Sequence, residues 1–181
     1  MKMVKAVAVF AVATVLLNPL MVAQDSPSGV LLEVLQTTHD IHRTETMVYL
    51  RIYADGLGEA HSDRDVDFRN INLKRKNVMP EELDRLVQLL DADATRKLNE
   101  QYKRSWGAKD FSTEWRISIT AGGRRREMDL VNFQPFLARE KHESYPPQLE
   151  RLGCSIWRLR VEVTGEPLDR NYVAGCQKLS F

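Results

Sequence analysis

Alternating apolar and polar positions predict a β-strand over residues 46–53. Apolar residues occupy every second position there, at Val48, Leu50 and Ile52, which is the period of a half-buried strand. An apolar run over residues 30–35 predicts a strand before it. Asp55 and Gly56 suit a tight turn after it, and a three-residue loop there would place Arg51 opposite Glu59 on the returning strand.

The most regular alternation lies over residues 113–132. Gly122-Gly123 suits a two-residue turn, and that turn would place Ile117 opposite Met128, Trp115 opposite Leu130 and, on the other face, Arg116 opposite Asp129. Because apolar and charged side chains separate onto opposite faces, the sequence predicts a hairpin that is buried on one side only.

A helix is predicted from Met79-Pro80-Glu81-Glu82 to about residues 91–93. Proline suits the first helical position, and early acids favour the positive end of the helix dipole. The predicted buried stripe has helical spacing and consists of Leu83, Leu86, Val87 and Leu90. A second short helical piece is predicted within residues 94–102.

A longer helix is predicted from Pro146-Pro147 to about Val163. Its apolar stripe consists of Leu149, Leu152, Ile156, Leu159 and Val163. Cys154 lies roughly opposite that stripe. A tail returning over the outer face of this helix would bring Cys176 to Cys154.

These elements, with a weaker edge strand over residues 67–73, predict an α+β fold in the order β-β-(β)-α-β-β-α. The simplest packing is a mainly antiparallel sheet of two hairpins with two helices on one face. The expected organisation is a single domain over residues 30–163, preceded by a flexible leader over 24–29 and followed by a tail over 164–181.

The first 23 residues have the pattern of a secretory signal peptide. Lys2 and Lys5 precede an uncharged apolar run over residues 6–17, and the expected cleavage follows Ala23. The other interpretation is an uncleaved N-terminal anchor. Either way the pattern predicts export to the periplasm or the extracellular space. No later segment approaches the length of a membrane span.

Export changes the interpretation of Cys154 and Cys176. An even number of cysteines in an oxidising compartment favours a disulfide, which would close a loop of roughly 20 residues and stabilise the fold by about 3 kcal/mol. Two free buried thiols are the competing interpretation.

Composition and charge exclude several classes of protein. The chain has 181 residues, 43% of them hydrophobic and 28% charged, which excludes wholesale disorder and a dense disulfide scaffold. The formal net charge of +1 gives no global basic field, so we predict no nucleic-acid partner.

His39, Asp40 and His42 form the only cluster that resembles metal ligands, with His61 across the next hairpin. Imidazole and carboxylate groups bind zinc, which makes a metal-assisted hydrolase the alternative function. A polar connection between two strands is the interpretation we favour, since short histidine motifs often match by chance. The alternating acids at 63, 65 and 67 fail the spacing of a calcium loop.

Two basic runs, over residues 74–76 and 124–126, could bind an acidic partner, a lipid headgroup or a polysaccharide; a solvated turn is the default for each. Aromatic residues surround the second hairpin, and exposure of Trp106 and Phe136 would mark a binding patch beside Arg124, Arg125 and Arg126. We find no nucleophile, phosphate-loop or dinucleotide motif, and we expect no catalytic residues and no cofactor.

The turn at 53–56, the helix start at 79–83 and the hairpin strand at 115–119 resemble small exported bacterial domains of unknown function. The order of hairpins and helices is also distantly similar to emfourin-type inhibitors of thermolysin-like metalloproteases. That family has a Thr-Gly-Gly turn between its first two strands, whereas residues 36–40 here contain no glycine, so no inhibitory residue is carried over.

The sequence thus predicts an exported α+β domain that binds a protein, such as a secreted protease or an envelope protein, and does not catalyse a reaction. A structural accessory domain of the cell envelope is a further alternative.

Overall fold

The structure is a computed structural model of the chain that describes residues 29–62, 73–103, 111–133, 145–166 and Cys176. Seven strands lie within these ranges: β1 (Val30–Asp40), β2 (Thr44–Tyr53), β3 (Leu57–His61), β4 (Leu73–Asn77), β5 (Gln101–Lys103), β6 (Phe111–Ala121) and β7 (Arg124–Val131). Three helices accompany them: α1 (Pro80–Asp91), α2 (Asp93–Arg96) and α3 (Pro147–Thr164).

All seven strands form one sheet in the order β4-β3-β2-β1-β6-β7-β5. Neighbouring strands are antiparallel except β5, which pairs with β7 in parallel. The predicted α+β class is confirmed. The described residues form seven strands and three helices, which is more than the two hairpins and two helices that we expected. The short helical piece predicted within residues 94–102 is present only as α2, and the end of that segment instead enters strand β5. Three residues are too few to show the period of a strand, so β5 could not be predicted.

The two hairpin registers agree with the sequence prediction. Arg51 lies opposite Glu59, and Ile117 and Arg116 lie opposite Met128 and Asp129. Gly122 and Gly123 have φ angles of 55° and 73°, which is the positive-φ pair that a type I′ turn requires.

The expected edge strand is present in part. Strand β4 begins at Leu73, where the predicted strand over 67–73 ends, and it forms one edge of the described sheet. Residues 67–72 lie outside the described residues, as do the acids at 63, 65 and 67.

Helices α1 and α3 pack on one face of the sheet, as predicted. The fully buried side chains of the core come from both layers: Leu32, Leu50, Ile52, Ile117, Met128 and Leu130 from the sheet, and Leu86, Leu90, Leu149, Leu152, Ile156 and Leu159 from the helices. This burial supplies the main driving force for the arrangement.

The predicted buried stripe of α1 is wrong at one position. Val87 is exposed, whereas Glu82 is buried. The Glu82 carboxylate forms ion pairs with Arg85 on its own helix, at 2.8 Å, and with Arg158 on α3, at 2.6 Å. The ion pair with α3 therefore compensates the carboxylate that takes a buried place on α1.

A β-bulge at Tyr49 also departs from the predicted alternation. Val34 lies opposite Leu50, but the next residue, Leu35, lies opposite Val48, so Tyr49 is the extra residue on β2. Tyr49 is consequently buried next to Leu50. Its ring packs against Trp115, with centroids 4.5 Å apart, and against the guanidinium of Arg160, 4.5 Å from the ring centroid.

Helix α3 is enclosed along most of its length. Small and polar residues are buried there as well as the apolar stripe, among them Gly153, Ser155 and Arg160. Arg160 donates hydrogen bonds to the Glu166 carboxylate at 3.0 Å and to the backbone carbonyl of His61 at 2.9 Å. These bonds join the C-terminal half of α3 to the end of β3 and compensate the buried charge.

A disulfide joins Cys154 of α3 to Cys176, with a Cα–Cα distance of 5.7 Å. This confirms the pairing predicted from the compartment. Cys154 is buried, so the bond reaches into the packed part of α3. The rest of the expected tail, over 167–175 and 177–181, lies outside the described residues, as do the expected signal peptide and residues 24–28 of the expected leader.

None of the described helices is long and apolar enough to cross a membrane.

Close packing between α3 and β3 makes Gly58 sensitive to substitution. A Cβ at position 58 would lie 2.5 Å from the Val163 side chain and 3.2 Å from that of Val78. We expect Gly58→Ala to lower the free energy of unfolding by about 2 kcal/mol, measured by urea denaturation. Val163→Ala is the matched second substitution: the double variant should lose less than the sum of the two single losses. Additive losses would contradict a direct clash.

The disulfide links two cysteines that lie 22 residues apart in the sequence. We expect Cys176→Ala to lower the free energy of unfolding by about 3 kcal/mol, because it releases this loop in the unfolded chain. Reduction of the wild-type protein should move its urea midpoint to that of the variant, and the variant should not respond to reductant. A variant as stable as the oxidised wild type would disprove the role assigned to this bond.

Candidate functional site

The sheet face opposite the helices carries a continuous row of charged and polar side chains. One row of directly opposed residues crosses six strands from β4 to β7: Arg75, Glu59, Arg51, Glu33, Ser118 and Glu127. We call this set the charged row. Opposite charges placed directly across neighbouring strands stabilise a sheet.

The charged row is held by short ion pairs. Arg51 contacts Glu33 at 2.5 Å and Glu59 at 3.0 Å, and Glu59 also contacts Arg75 at 2.9 Å. Burial, the largest single influence, would lower the pKa of Arg51, but the hydrogen bonds and charge interactions with Glu33 and Tyr53 together outweigh it and raise that pKa above its ordinary value. These charges are compensated within the sheet, so the charged row is a structural feature.

The metal-ligand candidates lie near the β1–β2 turn and on β3. The Asp40 carboxylate accepts hydrogen bonds from the backbone N–H groups of His42, at 2.7 Å, and Arg43, at 2.9 Å. These bonds, the one from His42 above all, lower the pKa of Asp40. The carboxylate therefore closes the turn between the strands.

Among the candidate metal ligands, the rings of His39 and His61 each contact a group within the sheet. The His39 ring contacts the Thr44 hydroxyl at 3.1 Å and the Glu114 carboxylate at 3.7 Å. The His61 ring contacts the backbone carbonyl of Val48 at 2.9 Å. Within the described ranges, no three His, Cys, Asp or Glu side chains are grouped so as to hold a metal ion.

Trp106 and Phe136, the two aromatic residues of the predicted binding patch, lie outside the described residues. The aromatic side chains described near the second hairpin belong to the core. Trp115, Phe133 and Tyr145 are buried, and their rings pack in series, with centroids 5.5 Å apart for the first pair and 4.8 Å for the second.

The basic run at 74–76 is largely committed to the fold. Arg75 belongs to the charged row, and the Lys76 ammonium donates to the backbone carbonyl of Glu162 near the end of α3, at 3.2 Å. The Glu162 carboxylate in turn accepts from the backbone N–H of Met79 at 2.8 Å. This run therefore helps to attach α3 to β4.

Strand geometry splits the second basic run between the two faces of the sheet. Alternation along β7 places Arg125 on the face of the charged row and Arg124 and Arg126 on the face of Met128. Arg125 contacts Glu127 at 3.2 Å and Glu33 at 3.6 Å. The side chains of Arg124 and Arg126 therefore lie on the helix-facing side of the sheet.

A groove of about 580 Å³ opens there, between α2 and the tip of the β6–β7 hairpin. Its floor is apolar and includes Leu90, Ile119 and Met128, and its rim carries Arg96, Arg124 and Arg126. We call this the arginine groove. Its volume is in the range of small-ligand sites.

Arg126 is held rigidly at the rim. Its guanidinium donates to the backbone carbonyls of Thr95 at 3.3 Å and Leu98 at 2.9 Å, and also to that of Arg96. These carbonyls lie at the end of α2, where cations are favoured. The acceptors are neutral, so the guanidinium charge of Arg126 is not cancelled by a carboxylate among the described residues.

Arg124 differs from its neighbours because its side chain has no hydrogen bond or ion pair with any described residue. It is exposed at the first position of β7, directly after the turn. Besides Arg96, which lies near two carboxylates, the groove therefore presents one fixed guanidinium, that of Arg126, and one unengaged guanidinium, that of Arg124. Sequence reasoning found the arginine run and the apolar hairpin face of Ile119 and Met128, but missed that Arg96 and Leu90, from elements distant in sequence, join them.

Arg124 and Arg126 should differ in their contribution to stability. We expect Arg126→Gln to lower the free energy of unfolding by about 1–2 kcal/mol, since carbonyls at the end of α2 lose their donor. Arg124→Gln is the matched control and should change it by less than about 0.5 kcal/mol. Equal effects in thermal or urea denaturation would refute the distinct roles of these residues.

No family model, curated protein or solved structure matches this chain. The likeness to emfourin-type inhibitors therefore stays a prediction.

Proposed function

We propose that this chain is an exported, non-catalytic binding domain that holds a protein partner in the arginine groove. The observation that carries the proposal is the pair formed by Arg124 and Arg126, two cations without a carboxylate partner among the described residues, at the rim of an apolar groove. Such a surface favours an acidic partner that can also bury apolar area.

The chemistry of the groove lining suits binding better than catalysis. Arginine keeps its charge at all physiological pH values and does not exchange protons there. The one hydroxyl side chain in the lining, that of Thr95, donates to the carbonyl of Leu89 at 2.5 Å and contacts the Gln148 amide at 2.6 Å. The groove lining thus offers neither a general base nor an activated nucleophile.

Export is part of the proposal, and the disulfide supports it. Bonds such as Cys154–Cys176 persist in oxidising compartments and are rare in a reducing cytosol. The apolar N-terminal pattern agrees with the same compartment. A secreted protease or an envelope protein is the partner class that the sequence resemblance suggests.

The proposal is tested by comparing three immobilised proteins that begin at Gln24: wild type, Arg124→Glu and Lys103→Glu. Lys103 is an exposed residue of β5 at the other end of β7, opposite Val131, so its reversal matches the change in charge away from the groove. Each is exposed to the host's secreted and envelope proteins, and retained proteins are identified by mass spectrometry. We expect one partner to be retained by wild type and Lys103→Glu and lost from Arg124→Glu.

Retention of the same proteins by all three, or of none by wild type, would refute binding through the groove. If the partner is a protease, its activity is titrated with the wild-type chain. Stoichiometric loss of activity that Arg124→Glu does not cause would identify the chain as an inhibitor. Unchanged activity would identify it as a binding domain without inhibitory effect.

A further inference from the structure

We propose that the arginine groove recognises a partner segment in which one carboxylate side chain lies next to an apolar side chain, with Arg124 as the anchor for the carboxylate. This inference rests on the proposed function, because it specifies the chemistry of the partner at that same groove.

Arg126 and Arg124 would contact a ligand in different ways. The Arg126 guanidinium already donates to carbonyls at the end of α2, so it acts on a ligand through its charge. Arg124 has all five N–H donors uncommitted among the described residues. A planar guanidinium fork matches a carboxylate with two parallel hydrogen bonds, so Arg124 is the residue that can contact the ligand directly.

The floor adds a second requirement. Leu90, Ile119 and Met128 lie almost fully buried beneath the groove, so the apolar surface that a ligand can still cover comes from Ala121, which is partly exposed, and from the aliphatic stems of the rim arginines. An apolar side chain placed against these groups removes apolar area from water on both partners. A carboxylate alone leaves most of the 580 Å³ unfilled. An apolar side chain next to the carboxylate uses both parts of the groove.

Charges beside the groove disfavour a densely charged ligand. Arg96 at the rim lies 3.7 Å from the Asp91 carboxylate and 3.6 Å from that of Asp93. Both acids are substantially exposed and repel additional negative charge. These acids would repel a polyanion or an anionic membrane that covers the whole rim, whereas a single carboxylate needs only the guanidinium of Arg124.

Three short acetylated and amidated peptides test the two requirements separately. Gly-Leu-Glu-Leu-Gly carries both features, Gly-Leu-Gln-Leu-Gly lacks the charge, and Gly-Ser-Glu-Ser-Gly lacks the apolar side chains. Dissociation constants are measured by amide chemical-shift titration of the oxidised wild-type chain. We expect each control peptide to bind about tenfold more weakly than the first, with shifts at the groove residues.

Two variants assign the discrimination to its residue. Arg124→Gln should bind the glutamate and glutamine peptides alike, while Lys103→Gln should discriminate between them as wild type does. Arg124→Lys should retain part of the preference, since it keeps the charge but loses the fork. Thermal denaturation of each variant confirms that it is folded before its constants are compared.

Equal binding of the glutamate and glutamine peptides by wild type would overturn this inference, even if a captured partner still required Arg124. Arg124-dependent binding to phosphatidylglycerol vesicles that is tighter than binding to the peptide would overturn it too, since it would assign the groove to lipid. Failure of the proposed function is distinct, because there no captured protein would depend on Arg124.

Discussion

Helix α3 lies so close to strand β3 that position 58 has no room for a side chain, and the rest of the architecture follows from this contact. The Cβ that glycine lacks would lie 2.5 Å from Val163. Such an approach lets α3 bury side chains on several of its faces, including Cys154 and Arg160. A helix enclosed to this extent fixes the positions of the layers around it.

The polar groups of α3 are satisfied by the elements that enclose it. Arg160 bonds to Glu166 and to the end of β3, and its guanidinium lies over the ring of Tyr49. Tyr49 reaches that position only because a bulge turns it toward the helices. The bulge in β2 therefore brings Tyr49 into contact with Arg160 of α3. The same bulge explains why the alternation predicted for β2 fails at Tyr49.

The two faces of the sheet use arginine in opposite ways. On the outer face Arg51 lies between two carboxylates, and its charge is cancelled where it stands. On the helix-facing side Arg126 bonds to neutral carbonyls and keeps an uncompensated charge. The arginine groove is electropositive for this reason, although the chain as a whole carries a formal net charge of only +1.

The sequence by itself determined the local elements. Periodicity and turn residues act over short stretches of chain, so they predicted both hairpin registers, the starts of α1 and α3 and the one-sided burial. The cysteine pair was predicted from the even number of cysteines and the expected export. The arginine run at 124–126 was also visible, but its division between two faces depended on which strand face meets the helices.

Only the tertiary structure decided the rest. The parallel pairing of β5, the burial of Glu82, the bulge at Tyr49 and the charged row each join residues from different elements. The arginine groove likewise combines Leu90 and Arg96 with hairpin residues from Ile119 onward, which lie more than 20 residues away in sequence. Such associations depend on packing between distant segments, and neither hydrophobic period nor residue spacing records which segments will meet.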